Sequence, residues 1–125
     1  MKIFISLGMK DKEQEQINYE KRCIETYIKA IYNDVDITFN QPLTDTFRLT
    51  NSPAVCLCAS LYEMVNSDVI YIPNDFEDYN GCFIEQEMCK RYKLPYEIYD
   101  LNDICYGTIY KENEYFEQES DSNVQ

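Results

Sequence analysis

Short apolar runs alternating with amphipathic segments predict an α/β fold, a three-layer sandwich in which a mostly parallel sheet of four or five strands carries helices on both faces. Three observations carry that expectation. The chain opens on Lys2 to Leu7, a β-leaning apolar run of the kind that forms a central buried strand. Ile17, Ile24, Tyr27, Ile28 and Ile31 then fall at helical spacing, with Lys and Glu on the opposite face. The same alternation recurs further along, at Asp68 to Ile72 and beyond.

The first strand ends at Gly8, and the amphipathic helix runs from Lys10 to about Asn33. Val35, Ile37 and Phe39 alternate with polar residues up to Asn40, which predicts a second short strand stopping before Pro42. Gln41 to Asn51 has turn residues and no period, and reads as a loop carrying Arg48. Ser52-Pro53 has the form of an N-cap followed by proline at the first helical position, opening a helix whose stripe is Leu57, Leu61, Met64 and Val65 and which ends near Ser67. Asp68 to Ile72 is the next strand, Pro73 to Asn80 an acidic loop, and Asn80-Gly81 the start of a third helix broken by Leu94-Pro95. Tyr96 to Tyr99 reads as a strand and Ile104 to Tyr110 as an edge strand. Residues 1–110 form one domain in this reading, and 111–125 an acidic tail without stable structure.

Composition narrows the function classes. A net charge of −12 over 125 residues opposes binding to duplex nucleic acid, which works through Lys and Arg neutralising phosphates. No apolar run approaches bilayer length, so the expected location is the cytoplasm, with no membrane partner. There the six cysteines are expected to stay reduced, and their spacing is not that of a zinc site. The chain has no histidine, which excludes Ser-His and Cys-His nucleophile pairs and leaves carboxylates, tyrosines and lysines for acid–base work. Neither metal nor cofactor is expected.

In a parallel α/β sheet, ligands bind beyond the carboxyl ends of the strands. Here that means Ser6 to Met9, the loop after Phe39, and Pro73 to Gly81. The last region concentrates Asp75, Glu77, Asp78, Glu85 and Glu87. Glu85 falls in the first turns of its helix, where the dipole favours an ionised carboxylate and holds its pKa low. Such a carboxylate is what glycosyl transfer needs as a nucleophile.

The stretch Asp68 to Glu85, D-V-I-Y-I-P-N-D-F-E-D-Y-N-G-C-F-I-E, resembles the strand, loop and helix of the nucleoside 2-deoxyribosyltransferase-like superfamily. The resemblance is nearest to the small, often phage-borne DUF4406 branch, whose members open on I-F-I-S followed by G-x-M; Lys2 to Met9 is similar, as are Asn40-Gln-Pro42 and Leu94-Pro95. It implies a flavodoxin-like, Rossmann-like fold and a glutamate nucleophile at Glu85 that cleaves or exchanges the N-glycosidic bond of a deoxynucleoside or deoxynucleotide. On this expectation Asp75 and Asp78 position the sugar or protonate the base, while Ser6, Gly8, Met9, Tyr79 and Gly81 line the substrate and Arg48 meets a phosphate. The chain differs from the family pattern at Phe4, where a tyrosine is common, at Ser60, where an aspartate is common, and at Tyr79, where characterised enzymes carry Ser or Asp. The alternative expectation is a catalytically degenerate module that binds a nucleotide signal or a host protein. Relatives assemble as dimers or higher oligomers, and Gly81 to Tyr92 offers a surface for that.

Overall fold

A computed structural model describes residues 1–41 and 43–107. Its elements are β1 (Lys2–Ile5), α1 (Gln14–Ile31), β2 (Thr38–Phe39), α2 (Asp45–Thr50), α3 (Pro53–Val65), β3 (Val69–Pro73), a 3₁₀ turn (Phe76–Asp78), α4 (Asn80–Tyr92) and β4 (Tyr96–Tyr99), followed by a last helical segment, α5 (101–107). The four strands pair in the order β2-β1-β3-β4, all parallel. Helices cover both faces, the arrangement of a Rossmann-like or flavodoxin-like three-layer sandwich.

Both faces of the sheet are buried because the strands are apolar on both sides. Ile3 and Ile5 point to the α1 face and pack with Ile24, Ile28, Tyr99 and Leu101. Phe4 points the other way and packs with Met64, Ile70, Ile72 and Cys89 under α3 and α4. The strand order reverses between β1 and β3, and the carboxyl ends of these two strands open the crevice in which this class of sheet binds ligands. The helix termini follow local chemistry. Ser52 Oγ accepts from the Val55 N–H at 3.2 Å to start α3, and Lys93 closes α4 in the left-handed conformation, with φ 55°.

Several boundaries differ from the sequence reading. Within Gln41–Asn51, expected as a loop, Thr44 caps the short helix α2 through its hydroxyl, which accepts from Phe47 N–H at 3.1 Å. The edge strand expected over Ile104–Tyr110 is helical up to residue 107, because Asp100 caps it: its Oδ1 accepts from Asp103 N–H at 3.1 Å. The remainder of that strand and the tail 111–125 lie outside the described residues. Only Thr38–Phe39 of the expected second strand has strand conformation, and Pro73 belongs to β3 rather than to the acidic loop, which itself winds into a 3₁₀ turn. The first helix starts at Gln14 rather than Lys10, since residues 9–12 form a turn in which Asp11 has φ 62°.

Candidate functional site

Over the end of β1, between the residues that follow β2 and the helices α3 and α4, lies a cavity of about 400 Å³, walled by Phe4, Gly8, Ser60, Tyr79, Cys82 and Glu85 among others. Glu85 is its central group. The side chain is 5% exposed, on the inner face of α4. Ser6 Oγ, at the end of β1, donates to Glu85 Oε1 at 2.7 Å, and Ser60 Oγ, on α3, donates to Oε2 at 3.1 Å. Three elements far apart in sequence thus converge on one carboxylate.

The electrostatics differ from the expectation of a low pKa. Burial raises the Glu85 pKa above the ordinary value of 4.5, and the hydrogen bonds from Ser6 and Ser60 only partly oppose it. Glu85 sits more than a turn into α4, so the dipole's effect, strongest at the terminal turn, does not outweigh desolvation. Neighbouring Cys82 is pushed up to about 12, first by burial and then, against a lowering hydrogen bond from Ser6, by the charges of Glu85 and Asp75. It remains a thiol at neutral pH and is no competing nucleophile.

The residues singled out from the sequence fall into three groups. Gly8, Met9, Tyr79, Gly81, Arg48 and Glu85 line the cavity together. Ser6 stands behind Glu85, 1% exposed, as the group that orients it. Asp75 and Asp78 are not part of this wall. Asp78 borders a neighbouring cavity beside Lys10 and Lys12, and Asp75 has a buried Oδ1 with no hydrogen-bond partner. Gly81 meets no steric demand, for a Cβ there would only touch Leu57 at 3.9 Å. Gly8 does: a Cβ would lie 2.5 Å from the Tyr79 ring.

Sequence reasoning passed over the group that holds Tyr79. Lys12 Nζ lies 5.3 Å from the Tyr79 ring centroid and pairs at 2.7 Å with Oε1 of Glu20, which is 1% exposed. The other oxygen of Glu20 accepts from Gln16 Nε2 at 3.1 Å and from the Tyr106 hydroxyl at 2.8 Å. Burial works against the Lys12 ammonium, but the hydrogen bond and charge of Glu20 outweigh it and raise the lysine pKa. Lysine near a helix start ordinarily decorates solvent; only the folded position of Glu20 shows otherwise. Ser60, where the resemblance leads one to expect an aspartate, is a donor to Glu85.

Chemically, the cavity offers a water-poor carboxylate with both oxygens oriented, a phenol from Tyr79, and two cations at the rim, Lys10 and Arg48. Glu63 also lines it, paired to Lys2 at 2.9 Å. Among the described residues, no cluster of three His, Cys, Asp or Glu side chains is arranged to hold a metal ion, and no helix is long and apolar enough to cross a membrane.

Two outcomes follow from this geometry. Gly8→Ala should keep the fold, costing about 1 kcal/mol or less, while swinging the Tyr79 ring away from Lys12; a crystal structure of the variant with the ring unmoved would contradict the packing described. Glu85→Gln should raise the melting temperature at pH 7–8 by several degrees. A carboxyl whose pKa is raised on folding contributes stability below its unfolded pKa, and that contribution is lost as pH rises through the folded value. The gain from Gln should therefore shrink toward zero below pH 4.5, and a pH-independent difference between the two proteins would contradict it.

No family model, curated protein or solved structure matches the chain.

Proposed function

We propose that the protein cleaves the N-glycosidic bond of a nucleoside or nucleotide, or transfers its deoxyribosyl group, with Glu85 as the nucleophile. The observation that carries this reading is a single buried carboxylate, held at both oxygens by Ser6 and Ser60, in the wall of a cavity at the carboxyl end of β1. Hydrogen bonds that fix both oxygens hold the group in one orientation toward a sugar, and a desolvated carboxylate is well suited to meet the positive charge that develops at an anomeric carbon.

In the step proposed, a Glu85 oxygen attacks C1′ as the C1′–N bond breaks and its electron pair leaves with the base. The base takes up a proton, for which Tyr79, a residue of the cavity wall, is the candidate donor. The resulting glycosyl ester is then opened by water, or by a second base, whose proton returns to the Tyr79 oxygen as the carboxylate is restored. Asp75 and Asp78 lie outside this wall and take no part in the step. No metal or cofactor is required.

A second reading, a binding module that keeps the cavity without turnover, is favoured by the same wall: Phe4 brings no hydroxyl to it, and among the described residues the only other lining carboxylate, Glu63, is engaged by Lys2. Base release separates the two. Purified protein incubated with a panel of deoxynucleosides and deoxynucleotides should liberate free base, detected chromatographically, and Glu85→Ala should lose this activity by about a thousandfold or more while melting cooperatively. Because Glu85 must be ionised to attack, the rate should rise with pH along a limb whose midpoint lies above 4.5. Undiminished release by Glu85→Ala would remove it from the nucleophile's role. A thermal shift with no release from any compound would favour the binding module.

A further inference from the structure

A second cavity, of about 510 Å³, adjoins the first on the opposite side of β1. Ile5, Leu7, Met9, Asn40, Leu43 and Arg48 line both. Phe4 belongs to the Glu85 side, whereas Ile17 on α1 belongs to the other, so the two compartments sit over opposite faces of the sheet and meet across the end of its central strand. Each is within the range of a small-molecule site, roughly 300–1,000 Å³.

The chemistry of the junction and of the far compartment is specific. A chain of net charge −12 repels phosphate over most of its surface. Yet Lys10 and Arg48 border the first cavity, and Lys21 and Arg48 the second. Arg48 spends one donor, Nη2, on Asp45, and its guanidinium has others to offer at the boundary. The apolar floor of the far compartment is Ile17 together with Ile5 and Leu7, which it shares with the first, and the exposed amide pair Gln14 and Asn18 borders it. Gln14 Nε2 donates to Asn18 Oδ1 at 2.9 Å, which leaves the carbonyl of Gln14 as an acceptor and the amino group of Asn18 as a donor. An apolar floor bordered by an acceptor and a donor suits a flat heteroaromatic ring with a hydrogen-bonding edge.

We propose that the ligand is a dinucleotide: two nucleosides joined through phosphate, one sugar at Glu85, the phosphate at Arg48 with Lys10 and Lys21 on either side, and the second base between Ile17 and the Gln14–Asn18 amides. This deepens the glycosidic reading by naming the substrate class, and rests on it only for what happens at Glu85; the binding claim stands on the two compartments.

The test separates the two claims by measuring binding on Glu85→Gln, without turnover, by calorimetry. The probes are deoxyadenosine, adenosine 5′-monophosphate, a pyrophosphate-linked dinucleotide (nicotinamide adenine dinucleotide) and a 3′,5′-phosphodiester-linked deoxydinucleotide. At least one of the two dinucleotides should bind about tenfold or more tightly than either single-unit ligand, with an affinity that falls as salt rises. Asn18→Trp on the same background, a substitution of an exposed α1 residue that fills the far compartment, should collapse that ratio toward one. Which dinucleotide binds identifies the linkage. Equal affinity for single-unit and two-unit ligands, no binding of either dinucleotide at millimolar concentration, or a ratio untouched by Asn18→Trp would each overturn the proposal. Dinucleotide binding without base release by the unmutated protein would keep the two-compartment site and overturn the glycosidic reading instead.

Discussion

The hydrogen bond between Ser6 and Glu85 is the interaction on which the site depends. Ser6 is fixed on every polar atom: its N–H donates to Tyr71 O at 2.8 Å, its carbonyl accepts from the Tyr99 hydroxyl at 2.6 Å, and its hydroxyl donates to Glu85 at 2.7 Å. A serine so anchored is a rigid donor, and its position is set by the parallel pairing of β1 with β3 and by the reach of Tyr99 from the end of β4. A carboxylate buried without such partners would be strongly unfavourable. With Ser60 added from α3, the sheet and both helices of one layer are tied to a single side chain. Burial still raises the Glu85 pKa, so the site retains a destabilising element of the kind that accompanies function.

A second buried charge organises the opposite side. Glu20 gathers Lys12, Gln16 and Tyr106, joining the turn after β1 to α1 and to α5. Through Lys12 it reaches Tyr79, whose ring lies where any side chain at residue 8 would stand. Removing one partner of such a network leaves an uncompensated group, so the cluster's role is best understood as fixing one arrangement of the loops around the cavity. Both buried acids thus act on the same opening, one from inside its wall and one through Tyr79.

Much of the fold was legible because the strands are apolar on both sides and short, and because Ser52-Pro53 and Leu94-Pro95 punctuate the chain by local rules. What was missed has physical causes. α2 buries no residue, so it leaves no hydrophobic period, and only Thr44 announces it. Ile104 and Tyr106 alternate like a strand, but Asp100 supplies a cap that turns the backbone into a helix. At the site, Glu85 stood out by its place in an acidic cluster, whereas its burial and its two serine partners arise from contacts 79 and 25 residues apart in sequence. Asp75 and Asp78 belong to the same cluster by sequence and are kept off the cavity wall by the 3₁₀ turn between β3 and α4. Lys12 and Glu20 carried no local sign of pairing.

The central claim is that Glu85 forms a covalent bond to a sugar. The most direct measurement is to incubate the protein with a 2-fluoro-2-deoxynucleoside bearing a good leaving base, whose fluorine slows hydrolysis of a glycosyl ester more than its formation, and to map the adduct by peptide mass spectrometry. The account predicts a fluorodeoxyribosyl group on the peptide containing Glu85, absent in Glu85→Gln. Base release from that compound with no adduct, or an adduct on a different side chain, would contradict it.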